Sequence, residues 1–350
     1  MKLMLNPTES CNLSCSYCYI SDKKVKRLSY ENLERIFSQL FEIEKESLNV
    51  LIIGGEPLAF GLAGLQDIVS IEKKYNYKNI PVSNSLQSNG TLITEGIAQF
   101  FHDEHFNVGI SFDGPKWLHD KNRVLNNREG SYDSVIQGIN HLKNEDVPFS
   151  TLTVLTHDSL GYERDIIDSI RGVGSKRARL SVYTPSNGSN DSFFVTPKEL
   201  GESWIRFYDY WMETGDIVLE PFESIVRSFL LGYNDGCAYS AVCESAFVAV
   251  DSFLDVYSCN RFVGLKDFSF GNIFDTSLSD LLSKKAGSTL MGSEVRRAYC
   301  DSCKFVSICN GGCASETLGV SGSVNTHYPF CQSRKMLFEH VKNSIENMIL

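Results

Sequence analysis

The chain has 350 residues, enough for one large α/β domain or a barrel with an appendage, and 42% hydrophobic with 22% charged residues is an ordinary globular composition. Lys and Arg number 33 against 43 Asp and Glu, and the formal net charge of -10 sets the chain against phosphate backbones and anionic membrane surfaces, so neither nucleic acid nor membrane is expected as a partner. The Met1-Lys2-Leu3-Met4-Leu5 run is too short for a signal core and no stretch reaches the length of a membrane span, which predicts a cytoplasmic protein.

In chain order, apolar runs at Lys2–Leu5, Asn49–Ile53, Ser83–Gln87, Asn107–Phe112, Ser150–Leu155 and Arg179–Tyr183 read as strands. Between them, segments near 29–46, 63–75, 94–103, 131–144 and 161–172 carry apolar residues at three- and four-residue spacing and read as helices. Repeated βα units imply parallel strands with right-handed crossovers. Six such strands are two short of a closed eight-stranded barrel, so a partial (β/α)6 barrel is expected. A turn-rich break at Thr184–Asp191 precedes helical stretches near 198–213 and 221–231. Residues 233–333 carry eight cysteines and little periodicity, and an amphipathic helix near 333–348 closes the chain. The expected domains are therefore 1–232 for the barrel and its linking helices, 233–333 for a cysteine-rich domain, and 334–350 for the C-terminal helix.

Eleven cysteines are many for an intracellular enzyme, and an odd number fits a closed disulfide framework poorly, so metal is the better reading. Three of them form the run Cys11-Asn-Leu-Ser-Cys15-Ser-Tyr17-Cys18-Tyr19 directly after the first strand. In parallel α/β architectures the chemistry sits at the C-terminal ends of strands. Three thiolates ligate three irons of a cubane and leave the fourth iron open to an exogenous ligand. A zinc site or three unrelated core cysteines would be the plainer reading of such a loop; the spacing and the aromatic neighbour of Cys18 speak against it.

This run resembles the signature of the radical SAM superfamily. The resemblance implies a [4Fe-4S] cluster on Cys11, Cys15 and Cys18. Its open iron chelates S-adenosylmethionine, and the cofactor is cleaved to a 5′-deoxyadenosyl radical that removes a hydrogen atom from substrate. Tyr17 and Tyr19, flanking Cys18, are then counted among the cofactor contacts. Gly54-Gly55-Glu56-Pro57 is similar to the family's motif for the methionyl amino group, glycines allowing backbone approach and Glu56 accepting from an ammonium. Gln87-Ser88-Asn89-Gly90 and Ser111-Phe112-Asp113-Gly114-Pro115 end the third and fourth strands. Gln87, Asn89, Ser111 and Asp113 there supply short polar groups suited to ribose hydroxyls. With His119, Asp120 and Arg123 they complete a stretch resembling the family's Ser-x-Asp-Gly-Pro … His-Asp-x-x-Arg run, in which Ser and Arg contact the cofactor.

Cys300-x2-Cys303-x5-Cys309-x3-Cys313 and Cys331, with Cys237, Cys243 and Cys259 upstream, resemble the SPASM domain of peptide-modifying radical SAM enzymes. The resemblance implies two auxiliary [4Fe-4S] clusters, one on Cys237, Cys243, Cys259 and Cys313, the other on Cys300, Cys303, Cys309 and Cys331. A zinc ribbon would account for four of these eight cysteines and leave the others idle. Leu254 departs from the pattern, standing where the family usually has a glycine in the hairpin before Cys259.

Order and spacing are most like the anaerobic sulfatase-maturating enzymes, which oxidise a Ser or Cys side chain to formylglycine. Their proposed proton acceptor is an aspartate directly after the auxiliary-cluster cysteine, and here that position is Asn260, whose amide cannot take a proton. The expected function is therefore oxidation or cross-linking of a side chain in a ribosomally made peptide, where aromatisation drives proton loss and less is asked of a base. Sulfatase maturation is the alternative, and an iron–sulfur electron carrier a third reading from another class. An electron donor such as flavodoxin or ferredoxin is implied. Ten residues before the first cysteine leave no room for a peptide-recognition domain, so substrate capture falls to the barrel and cluster domain or to a separate recognition protein.

Overall fold

In the computed structural model the described residues are 1–20, 23, 26–185, 188, 191–232, 236–240 and 243–349. Residues 186, 187, 189 and 190 of the expected turn-rich break, and the expected domain boundary where it runs into 233–235, lie outside them. The chain divides into two compact units. The first comprises Met1–Ser111, Arg123–Phe149 and Glu244–Leu290; the second comprises Phe112–Asn122, Ser150–Cys243 and Met291–Leu350.

In the first unit β1 (Lys2–Leu5), β2 (Leu48–Ile52), β3 (Val82–Ser88) and β4 (Asn107–Ser111) pair in parallel in that order. Helices Tyr30–Ile43, Leu62–Tyr75 and Glu95–Asp103 connect them. The first of these starts at Ser29, whose hydroxyl accepts from the Asn32 amide at 3.2 Å. It buries Leu33, Ile36, Phe37, Leu40 and Phe41, the three- and four-residue stripe that marks it in the sequence.

In the second unit β5 (Phe149–Leu155), β6 (Arg177–Val182) and β7 (Val218–Glu220) are again parallel neighbours. Thr196 and Glu199 form a reciprocal capping box that opens helix Pro197–Thr214, with proline in its first turn, and Gly215 at φ +60° ends it. Helix Cys331–Ile349 packs against it.

Three strands of the first unit come from the cysteine-rich stretch. β8 (Phe247–Val250) pairs in parallel with β1, Lys2 opposite Phe247 through Leu5 opposite Val250. β9 (Asp255–Tyr257) turns back antiparallel to β8, and β10 (Gly271–Asn272) adds to β9. The stretch expected to lack periodicity also holds helices Leu278–Ala286, Ser293–Ala298 and Ala314–Ser321. Their brevity explains the omission, since a four-residue apolar run such as Phe247–Val250 shows no period of its own.

Candidate active site

The cysteine loop begins where β1 ends, and glycines hold it there. The Gly55 amide donates to Thr8 O at 3.1 Å and the Glu56 amide to Ser10 O at 2.8 Å. A Cβ on Gly54 (φ +144°) would stand 1.8 Å from the side-chain amide of Asn6, and one on Gly55 would stand 2.3 Å from Glu9 O. The close approach that requires glycine is thus an approach to the loop carrying Cys11. On its other flank the loop bridges Leu13 to Leu125, and the Ser14 amide donates to Val124 O at 2.8 Å.

Glu56 is 1% exposed. Its Oε1 accepts from the Leu58 amide at 2.9 Å and the Ser88 hydroxyl at 2.7 Å, and its Oε2 accepts from the Asn89 amide at 2.7 Å. Burial pushes its carboxyl upward, opposed by these three hydrogen bonds and by the charge of Arg123. Three donors use three of the roughly four lone-pair positions of a carboxylate, leaving room for one further donor. Glu56 therefore knots β2 to β3 and retains capacity for a cationic ligand.

Asn89 is drawn into the loop: its Nδ2 donates to Asn12 Oδ1 at 2.9 Å and lies 3.9 Å from Cys11 Sγ, while its Oδ1 accepts from the Thr91 amide and hydroxyl. Gln87 donates to Ser111 Oγ at 3.2 Å, which pairs the two side chains across β3 and β4. Arg123 is buried, with its guanidinium 5.4 Å from the Tyr17 ring centre. In the second unit Asp113 Oδ1 accepts from the Val154 amide at 3.0 Å, the Asp113 amide donates to His119 Nδ1 at 3.3 Å, and Asp120 pairs with Lys116 at 3.0 Å. Asp113 thus ties the turn after β4 to β5, 41 residues on, and His119 braces that turn locally.

Asn260 follows Cys259 and is 4% exposed. Its Nδ2 donates to the Tyr19 hydroxyl at 2.7 Å, and its Oδ1 is buried with no partner. Arg261 stacks over the Tyr19 ring at 4.9 Å. Burial of the hydroxyl first, then the neighbouring Cys18 and Cys259, push Tyr19 up to about 12 against the opposing effect of Arg261. A neutral phenol and a neutral amide therefore occupy this corner at physiological pH. Its partner Tyr19 lies 241 residues away in sequence, beyond the reach of any local spacing.

None of the eleven cysteines is in a disulfide. Burial raises Cys11, and Glu56 and Cys18 raise it further against the Leu13 amide and Lys23. Burial also raises Cys300, and then Cys309, Cys303 and Cys331 raise it in turn. These four thiols of the second unit are thus electrostatic neighbours whose ionised forms repel one another, and a cationic iron centre is what relieves such repulsion. Cys313 stands in the same relation to Cys237. Cys259 follows the β8–β9 hairpin in the first unit. Among the described residues no three His, Cys, Asp or Glu side chains converge on a point for one metal ion, and a cubane, which spreads its ligands over separate irons, does not ask for that. The residues fit the groups: Cys11, Cys15 and Cys18 would hold an open cluster, and Cys300, Cys303, Cys309 and Cys331 a closed one. No helix among the described residues is long and apolar enough to cross a membrane.

Residues 5–170 match the Radical SAM superfamily, so the chain carries a radical SAM domain and is an enzyme. It is close to the anaerobic sulfatase-maturating enzymes. The cysteine-type enzyme of Clostridium novyi is 28% identical over 97% of this chain and 94% of its own. The structure of native anSMEcpe with bound AdoMet and Kp18Cys peptide is 26% identical, with a TM-score of 0.90 over 99% of this chain and 98% of that one. Streptococcus suis SuiB bound to precursor peptide SuiA, 17% identical with a TM-score of 0.68 over 95% of this chain and 75% of that one, shares the fold. The expected mixed α/β, partial-barrel fold with a cysteine-bearing C-terminal region is the fold of this chain.

Proposed function

We propose that this enzyme modifies a side chain of a ribosomally made peptide by radical hydrogen abstraction, leaving a cross-link or an oxidised side chain, with one [4Fe-4S] cluster on Cys11, Cys15 and Cys18 and two more on the eight later cysteines. Cys11, Cys15 and Cys18 would hold the cluster that binds S-adenosylmethionine, whose cleavage would supply a 5′-deoxyadenosyl radical for hydrogen abstraction. The chain's own part is placement. Gly54 and Gly55 fix the cysteine loop, Glu56 keeps one acceptor position for the methionyl ammonium, Arg123 and Tyr17 close one flank, and Gln87 with Ser111 offers polar groups to the ribose. A peptide substrate is supported by the peptides bound to anSMEcpe and SuiB.

The observation that carries this reading is Asn260. Formylglycine formation must hand a hydroxyl or thiol proton to a base. The group here is an amide hydrogen-bonded to a phenol held at about 12, and neither takes a proton at neutral pH. Cross-linking to an aromatic ring leaves a radical adduct that gives up one electron, for which an auxiliary cluster would be the acceptor, and an acidic ring proton whose loss restores aromaticity, so a weak base or water suffices for the proton. The second reading, sulfatase maturation, is favoured by the similarity over 97% of the chain.

Anaerobic incubation with S-adenosylmethionine and a reductant, read by mass spectrometry, decides between them. A Ser- or Cys-bearing sulfatase-motif peptide should remain unmodified, while an aromatic-bearing ribosomal precursor peptide should lose two hydrogens. Efficient aldehyde formation on the sulfatase peptide would reverse the order of the two readings.

A further inference from the structure

The second unit buries a cation among its cysteines. Arg334, on helix Cys331–Ile349, is 5% exposed. Its guanidinium lies between two aromatic rings, 4.2 Å from the centre of Tyr239 and 4.2 Å from that of Tyr328. Nη1 donates to Ala238 O at 3.0 Å and to Cys309 Sγ at 3.4 Å. Nη2 stands 3.7 Å from Glu316 Oε2, which also accepts from the Tyr328 hydroxyl.

One guanidinium thus reaches the backbone beside Cys237 and the sulfur of Cys309, cysteines assigned to different clusters. Burial of such a charge is costly unless it is paired and hydrogen-bonded. Two ring faces, a carbonyl and one carboxylate share that duty here, and the fifth partner is a sulfur that becomes anionic when it ligates iron. A residue that only pinned the helix would need the carbonyl and the rings; the donation to sulfur serves the cysteine. Hydrogen bonds to ligand sulfurs and nearby charge are among the factors that set cluster potentials.

We propose that Arg334 is a positioning residue that holds up the reduction potential of the cluster on Cys300, Cys303, Cys309 and Cys331, by donating to the Cys309 sulfur and fixing a positive charge beside it. Reduction adds negative charge to the cluster, and a fixed cation stabilises that form. Glu316 opposes it, drawing on the same guanidinium. This rests on the assignment of those four cysteines as one ligand set.

The test is a redox titration followed by electron paramagnetic resonance, in protein whose Cys11, Cys15 and Cys18 are replaced by Ala so that only the later cysteines hold iron. Arg334→Met should shift one midpoint downward by about tenfold in the reduction equilibrium, or about 59 mV for one electron. Arg334→Lys, which keeps the charge, should recover most of that shift, and Glu316→Gln should move the same midpoint upward. Iron content and circular dichroism establish loading and folding in each variant. If Arg334→Met fails to load, Glu316→Gln decides alone: an upward shift supports the proposal and an unchanged midpoint overturns it. Unchanged midpoints in loaded Arg334→Met protein overturn it equally. If the parent holds no iron that depends on Cys300 and Cys309, the ligand assignment itself falls and the proposal with it, a result read before any Arg334 variant is made.

Discussion

At Asn260 one functional group decides between two products. A carboxylate there would have to accept from Tyr19, where the amide now donates, and it would sit buried beside Cys18 and Cys259. Like charge and desolvation both disfavour its ionised form. Asn260→Asp is therefore expected to lower peptide modified per 5′-deoxyadenosine formed, without producing an aldehyde; mass spectrometry of the peptide alongside chromatography of the nucleoside measures both. Glu56 offers a stability test at the same scale. In Glu56→Gln an NH2 group meets at least one donor among Leu58 N–H, Asn89 N–H and the Ser88 hydroxyl. Leaving one such buried donor unsatisfied costs about 1–3 kcal/mol, which urea unfolding of the reduced apoprotein would register.

The β8–β9 hairpin makes element-scale behaviour testable. Asp251 Oδ1 accepts from the Phe253 amide at 2.8 Å and the Asp255 amide at 3.0 Å, tying the turn. Burial first, then Asp255 and Glu9, push its carboxyl up to about 7 against these hydrogen bonds. A carboxyl raised in the folded state binds its proton there while the unfolded chain has already lost it, so stability falls as pH rises from about 4 to about 7. Asp251→Asn keeps an acceptor and no charge, and should flatten that part of the thermal-melting profile against pH. An unchanged profile would assign the slope elsewhere. Leu254, in the same turn, has φ +72° and is 4% exposed. Glycine there relieves about 1–2 kcal/mol of left-handed strain but forfeits about 2–5 kcal/mol of buried leucine, so Leu254→Gly should destabilise the protein by up to about 4 kcal/mol. The missing glycine marks this position in the sequence; that the leucine is buried enough to outweigh the strain is visible only in three dimensions.

Across the whole molecule, legibility follows the range of the interactions. The βα order of residues 1–185 could be read because each helix carries its own apolar period, as in Leu33, Ile36, Phe37, Leu40 and Phe41. The cysteine loop and its neighbours were legible as motifs. The pairing of β8 with β1, the Ser88 and Asn89 donors on Glu56, the Tyr19 partner of Asn260 and the contacts of Arg334 with Ala238 join residues far apart, and no local pattern encodes them. Asn89 is tied to the cysteine loop by Asn12, 77 residues away, a contact equally invisible to spacing. The central claim, one open cluster for chemistry and two closed auxiliary clusters, is tested most directly by counting iron and 5′-deoxyadenosine together in anaerobically reconstituted protein and in its Cys11, Cys15, Cys18 triple alanine variant. The account predicts roughly twelve irons and nucleoside formation for the former, and roughly eight irons with none for the latter, on four irons per cluster. Iron near four per chain with zinc making up the rest, or nucleoside still formed by the triple variant, would contradict it.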